Sequence, residues 1–480
     1  MDFSTIHFVL SPELDTKQLK KLSKSISQQG FGYSIGFENF QNKSLGNARW
    51  LAIVDAYVVI NFKRLLQFIN TFQFEENHQL VYFDSSFVSN FRKKLIRRPA
   101  PSPERLRGHD FLGSFILVRN DDDFLHNLVV NKPYSVTTKL RLGLAAIETN
   151  SAIHIPKAVV TELQTSINDL SLDQINEFKQ VLVEYLERTG GGYVEEITSK
   201  VSYRTHRLLD NEPLVSLLIP SRARWETDGT GKKSLLLNAI NSVLEKTSYQ
   251  NIEFVVIYDE DAEPEILNEL RSKCGNRLKL VKWTHPFDFS GKMNLGAAHS
   301  SGEYLLFLND DVEVISPSWL SSMIALNQLN DVGMVGAFLY YEDGTVQHGG
   351  HTIFNGAPTH IGLWADPIVA GKYPGFKVDR EVYGVTAACA SIEKSLFTQI
   401  GGFSSLLPGN FNDVDLNQKV RFKGKSIVIA AEADLFHFES KTRDARVHYY
   451  ELDVINHRWG HTFLQDETWP LHPVLVNMWR

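Results

Sequence analysis

Cysteine is scarce. Only Cys274 and Cys389 occur in 480 residues, which excludes a disulfide framework and a four-cysteine zinc site. Two free thiols read as small core residues, and the reducing compartment that suits them is the cytosol. Basic excess is also missing: 49 Lys and Arg face 56 Asp and Glu, a formal charge of −7. Without it, phosphate neutralisation cannot drive general nucleic-acid binding, and no nucleic-acid partner is expected. No stretch approaches 18 uninterrupted apolar residues, and even Trp50 to Ile60 is broken by Asp55, so no spanning helix is predicted. The opening Met1-Asp2-Phe3-Ser4 lacks the basic and apolar regions of a secretory signal. What is present is 43% hydrophobic residues with moderate Gly (31) and Pro (17), enough for sizeable cores in a globular chain of roughly two to three domains.

Two similar halves are joined by the polar stretch Glu187 to Gly192, which predicts domains at 1–205 and 206–480. The second half opens with Leu214 to Ile219, an apolar run stopped by Pro220, as in a buried parallel strand. Leu235 to Leu244 has helical spacing, and Ile252 to Ile257 is again strand-like. Strand, helix, strand predicts a mostly parallel α/β sheet. Tyr304 to Leu308 continues the series and ends in Asn309-Asp310-Asp311. Acids beyond a strand's carboxyl end occupy the place where open α/β sheets bind ligands.

Trp50 to Ile60 aligns without a gap on Tyr304 to Val314, setting Tyr57 against Asp311 and Val59 against Glu313. Ala152 to Ala158 parallels Ile427 to Ala433, with Glu162 roughly opposite His437. The first half therefore reads as a shortened, inactive relative of the second, stripped of its carboxylates.

Several motifs fail. Gly229 to Ser234 has Glu226 where a phosphate loop needs its leading Gly, and Lys233 where it needs Ser or Thr. Gly190 to Gly192 reads as linker, and there is no Gly-x-Ser-x-Gly elbow. His348-Gly349-Gly350-His351 has no Cys or acidic company and reads as loop rather than zinc site. Three clusters survive: Asn309 to Glu313, Asn412 to Leu416 and Phe436 to Ser440. Together they supply a carboxylate for a hard divalent cation, a second carboxylate able to act as base, and an imidazole to complete the metal shell. That set suits transfer from a nucleoside diphosphate, whose leaving group a metal neutralises.

Pro286 to Gly296, Gly302 to Trp319, Val385 to Cys389, Gly401-Gly402-Phe403, Asn412 to Leu416 and Phe436 to Arg443 resemble, in order, glycosyltransferase family 2, in its bacterial surface-polysaccharide or O-antigen branch. The resemblance covers about 210–475 and implies a GT-A, Rossmann-like catalytic domain preceded by a smaller degenerate transferase-like α/β domain. It implies Asp311 as the surviving acid of the metal motif, with Asn309 in the first acidic place, and His437 as the metal-binding histidine for Mg2+ or Mn2+. Asp310 and Glu313 stand as further ligands or supporting acceptors, with capping or solvent-facing roles equally open. Asp413 occupies the general-base position, and Asp415 supports that loop or contacts acceptor.

On the donor side the resemblance implies Pro220, Ser221 and Arg222, with Asp259 for base or ribose and Asp261 as fallback, since Tyr258 replaces the first of two usual acids. Lys292 and Asn294 would lie near the diphosphate, a surface salt bridge being the other reading of Lys292. Gln347, His348, Trp364, Thr386 and Ala387 would shape the acceptor side. The implied reaction is inverting displacement from a UDP-, dTDP- or GDP-sugar to a glycan or lipid-linked glycan, transferring a hexose or rhamnose. The setting implied is the cytoplasm or the inner face of the plasma membrane, with peripheral attachment or self-association compatible. The alternatives are a non-catalytic sugar- or nucleotide-binding scaffold, favoured by the altered Asn309 and Tyr258, and a nucleotidyltransferase, disfavoured because no Gly-rich loop follows the first strand.

Overall fold

Strands covered on both faces must be apolar throughout, and the runs that build the two sheets meet that demand: Trp50–Val54 and Tyr304–Leu308 are buried at every residue. The computed structural model describes residues 6–36, 48–72, 74–89, 92–125, 135, 137–163, 171–198, 202–228, 231–367, 374–376, 378–438, 447–464 and 468. Of the surface-polysaccharide motif, Glu439 to Arg443 lie outside the described residues. Two units separate, one holding the described residues up to Thr205 apart from Gly190–Gly192, the other Gly190–Gly192 and those from His206 onward. Among the described residues no helix is long and apolar enough to cross a membrane.

The first unit contains β1 (Ile6–Leu10), β2 (Gly32–Ile35), β3 (Trp50–Val54), β4 (Val58–Ile60), β5 (Leu80–Ser89), β6 (Arg92–Ile96), β7 (Phe115–Arg119) and β8 (Ala152–Glu162), with α1 (Thr16–Gln28) and α2 (Thr138–Glu148). Its sheet order is β2-β1-β3-β7-β5-β8-β4, with β6 beside β5. The second unit contains β9 (Val215–Ser221), β10 (Ile252–Asp259), β11 (Leu278–Trp283), β12 (Tyr304–Leu308), β13 (Val312–Val314), β14 (Val332–Tyr340), β15 (Val346–His348), β16 (His351–Phe354), β17 (Ala357–His360), β18 (Cys389–Glu393) and β19 (Ser426–His437). Its helices include α3 (Phe289–His299), α4 (Asn412–Phe422) and α5 (Tyr449–Trp459).

The second sheet runs β11-β10-β9-β12-β18-β14-β19-β13. It repeats the first order strand for strand, with β11 as an extra edge. Directions agree as well: β1 and β3, like β9 and β12, are parallel, β3 and β7, like β12 and β18, are antiparallel, and β5 and β8, like β14 and β19, are parallel. The aligned segments Trp50 to Ile60 and Tyr304 to Val314 thus occupy corresponding strands. Val58 faces Glu162, and Val312 faces His437.

Apolar clusters on both faces of the second sheet bury Trp319, Ile324 and Val256 on one side and Phe307, Met334 and Ile429 on the other. Both cysteines are buried, and burial pushes the Cys274 thiol up to about 11, as suits packing residues.

At the carboxyl ends of the first sheet, cations of the chain itself fill the space. Lys139, the second residue of α2, lies 2.7 Å from Asp55 and 3.1 Å from Asp110. Arg98 pairs with Glu162 at 2.9 Å and donates to the Phe83 and Phe111 carbonyls. Removing one member of such a buried network strands the opposite charges, at a cost of about 3–5 kcal/mol. Lys139→Ala should therefore loosen the first unit. Hydrogen exchange in the full chain should show protection lost at Phe115–Arg119 and retained at Tyr304–Leu308; equal protection in wild type and variant would contradict this.

Candidate active site

Three neighbouring parallel strands deliver polar groups to one end of the second sheet, where a backbone running out of the sheet leaves room for a ligand. β9 ends at Ser221, β10 at Asp259, and β12 runs into Asn309-Asp310-Asp311. The Ser221 hydroxyl accepts the Ala223 N–H at 2.9 Å and bonds the Asp310 carboxylate. Lys292 projects from α3, almost fully buried, with Nζ 2.5 Å from Asp259 Oδ1. The surface salt-bridge reading of Lys292 is thereby overturned, since its ammonium is buried against Asp259. Desolvation, reinforced by the Asp311 charge, pushes the Asp310 carboxyl up to about 7 even though Ser221 and Lys292 oppose the shift. Pro220 is half-buried and Arg222 exposed just beyond the strand. Tyr258 packs on the core. Asp261 is an exposed partner of Arg224.

The adjacent cluster centres on His437, the last residue of β19. Its Nδ1 is 2.6 Å from Gln347 Oε1, an oxygen that only accepts, so Nδ1 carries the proton and Nε2 the lone pair. Asn309 Nδ2 lies 3.0 Å from Nε2, and Asp311 Oδ1 lies 3.2 Å from it. Asp311 is 2% exposed, yet neither carboxylate oxygen has a hydrogen-bond partner. A buried carboxylate left so is costly unless something cationic meets it. An imidazole lone pair beside it, with the other ring nitrogen fixed by an amide, is a donor set that fits a divalent ion. The Glu313 side chain, by contrast, pairs with Lys246 at 2.8 Å.

Asp413 is the second residue of α4, half-buried. Its Oδ1 accepts the Val414 N–H at 2.8 Å; no bond to Oδ2 occurs among the described residues. The helix is entered through Phe411 in the left-handed region, φ 56°, a conformation that a bulky residue adopts only when held. Glu451 of α5 does the holding. Its buried carboxylate accepts N–H groups of Gly409 at 2.9 Å and Asn410 at 2.7 Å and the Asn410 amide at 2.8 Å. Burial alone would raise its pKa, but these bonds hold it below the ordinary value.

Two residues of the expected site are turned to structural partners. Asp415 is fully buried and bound to Trp459 Nε1 (2.7 Å), Lys419 (3.1 Å) and Arg458 (3.1 Å), so it ties α4 to α5 and cannot touch an acceptor. Asn294 spends both ends of its amide on the Phe403 backbone, donating at 2.9 Å and accepting at 2.9 Å, so it braces α3 rather than reaching for phosphate.

On the far side of His437 stand His348, His351 and His360. The Thr386 N–H donates to His348 Nε2 at 3.2 Å. Trp364 is exposed with φ 59°, and Ala387 is buried. His360 lies within electrostatic reach of both Asp413 and His437. Reading His348 and His351 as plain loop missed His360, whose approach depends on the β16–β17 pairing, a contact without a local signal.

Comparison with known proteins followed the geometry. The family model for glycosyl transferase family 2 matches residues 217–401. An uncharacterized protein of Sinorhizobium fredii, y4gI, is 35% identical over 294 residues, 58% of this chain and 32% of that protein. The O-antigen biosynthesis protein RfbC of Myxococcus xanthus is 29% identical over 360 residues, 72% of this chain and 27% of that protein. The chain thus spans about a third or less of these relatives' lengths. A crystal structure of GalNAc-T7 with UDP, GalNAc and Mn2+ superposes with a TM-score of 0.43 and 13% identity over 62% of this chain and 53% of that one.

The Glu451 clamp has a signed pH dependence. A depressed folded pKa contributes stability that is present above the ordinary carboxylate value of about 4.5 and lost as pH falls through the lower folded value. Glu451→Gln should cost about 1–3 kcal/mol at pH 7, and urea titrations should find the gap from wild type closing towards pH 3. A gap independent of pH would remove the carboxylate from the explanation.

Proposed function

We propose, from the match of residues 217–401 to the model for glycosyl transferase family 2, that the second unit transfers a sugar, with inversion, from a nucleoside-diphosphate sugar to a hydroxyl of a glycan or lipid-linked glycan. The observation that carries the reading is the unpartnered, buried Asp311 carboxylate beside the His437 Nε2 lone pair, at the same end of the sheet as Asp310 and Ser221. Asp311 and His437 are proposed to hold Mg2+ or Mn2+. Such an ion, when bound, supplies Lewis acidity to the departing diphosphate.

The chain's own groups do the rest. Ser221 and Asp310 line the donor end with Pro220 and Arg222, and Lys292, neutralised in part by Asp259, brings positive charge there. Gln347 fixes the His437 ring. Asp413 takes the proton from the acceptor hydroxyl as that oxygen bonds to the anomeric carbon; the bond from carbon to the diphosphate oxygen breaks, and the leaving group departs with the electron pair. Thr386 and the exposed Trp364 face the acceptor, the indole offering an apolar platform for a sugar ring. A hexose or rhamnose destined for cell-surface polysaccharide, handled at the inner face of the membrane, is the substrate setting proposed.

The first unit is proposed to be unreactive. Lys139 stands second in α2, where α4 has Asp413, and Glu162 and Arg98 stand where a metal would otherwise be met.

A panel of nucleotide sugars with Mn2+, read by release of nucleoside diphosphate, tests the activity; no release from any donor, with or without acceptor glycans, would favour the scaffold reading. Asp413→Asn should lower kcat about 10²- to 10⁴-fold with donor affinity kept by calorimetry. A variant retaining more than about a tenth of the rate would take the base role from Asp413. Asp311→Asn should weaken Mn2+ binding in a direct titration, and unchanged affinity would remove the metal from that position.

A further inference from the structure

The Gly349-Gly350 turn, with Gly350 at φ 103°, folds His351 back onto His348, and cross-strand pairing sets His351 directly opposite His360. Their ring centres lie 5.0 Å (His348 to His351), 4.7 Å (His348 to His360) and 5.0 Å (His351 to His360) apart, with planes turned 72–80° from one another. One potential ligand nitrogen from each lies within 4.8 Å of the others. Imidazoles on one tetrahedral ion, with nitrogens about 2.0–2.1 Å from it, place their ring centres about 5 Å apart. The triangle therefore already has the dimensions of a three-histidine site.

We propose that His348, His351 and His360 bind a borderline transition cation of the Zn2+, Co2+ or Ni2+ class, separate from the ion at Asp311 and His437. A three-nitrogen set selects such ions, whereas the site with the Asp311 carboxylate suits Mg2+ or Mn2+. His348 is fully buried and His351 nearly so, and desolvation holds all the rings neutral, the form that ligates. The Arg380 guanidinium reinforces this at His348, and the Asp413 carboxylate nearby supplies compensating negative charge.

Without an ion the rings satisfy one another. The Thr386 N–H donates to His348 Nε2, which leaves the proton on His348 Nδ1 to be donated to His360 Nδ1 at 2.9 Å. Loading shifts that proton to Nε2 and opens the 3.2 Å contact with Thr386, exchanging two hydrogen bonds for coordination. The expected structural effect is a stiffened β16–β17 hairpin beside Asp413, with a fourth position left for water.

The test uses the full chain, stripped with a chelator and titrated with Co2+ and Zn2+. Wild type should develop the visible bands of four-coordinate Co2+, and X-ray absorption of the Zn2+ form should give three imidazole nitrogens. His351→Gln and His360→Gln should each lower Zn2+ affinity more than about 100-fold, beyond the 10–100-fold typical of losing a supporting partner, whereas Asp311→Asn should leave the bands in place. Spectra showing one imidazole among oxygens, bands abolished by Asp311→Asn and kept in His351→Gln, or no bands in wild type would each overturn the proposal. The wild-type spectra decide the matter even if a histidine variant fails to fold.

Discussion

The site is organised by an unmet charge. Asp311 is enclosed by the sheet, yet neither oxygen is given a hydrogen, and a buried anion of that kind sets terms for everything around it. Beside it Gln347 fixes the His437 ring, and desolvation, reinforced by the Asp311 charge, keeps the neighbouring Asp310 from ionising readily. Close by, the buried Lys292 ammonium meets Asp259.

Opposite this electrostatic demand stands a mechanical constraint. Asp413 sits on a helix entered through a left-handed phenylalanine, and two buried carboxylates on facing helices, Asp415 and Glu451, bind that entry to the carboxyl-terminal helix by charge-assisted bonds. Such bonds fix orientation more sharply than apolar packing does. The pairing of α4 and α5 is thus a positioning device, set outside the segment that carries the family signature.

What could be read from the sequence was what has a local period or a fixed place on a strand. Leu214 to Ile219, Ile252 to Ile257 and Tyr304 to Leu308 announce buried parallel strands, and an acid following the last of them is placed by the chain itself. The ungapped match of Trp50 to Ile60 with Tyr304 to Val314 falls on corresponding strands for the same reason. Side chains whose roles come from distant partners are not legible in this way. Nothing near Asn294 in sequence reveals Phe403, Asp415 stays undecided between supporting its loop and contacting acceptor because Trp459 and Arg458 are 44 and 43 residues away, and His360 has no visible connection to His348. Long-range complementarity leaves no periodic trace.

The first sheet answers the same geometric demand differently. Where the second has His437 and the buried Asp311 for the ion proposed there, the first has Lys139 and Arg98 clasping Asp55, Asp110 and Glu162. A tethered ammonium does not dissociate, exchange or respond to ionic supply. The charge balance of the amino-terminal half is thereby built into the chain, so on the proposed reading a scarcity of divalent ions would reach one half of the molecule and pass the other by.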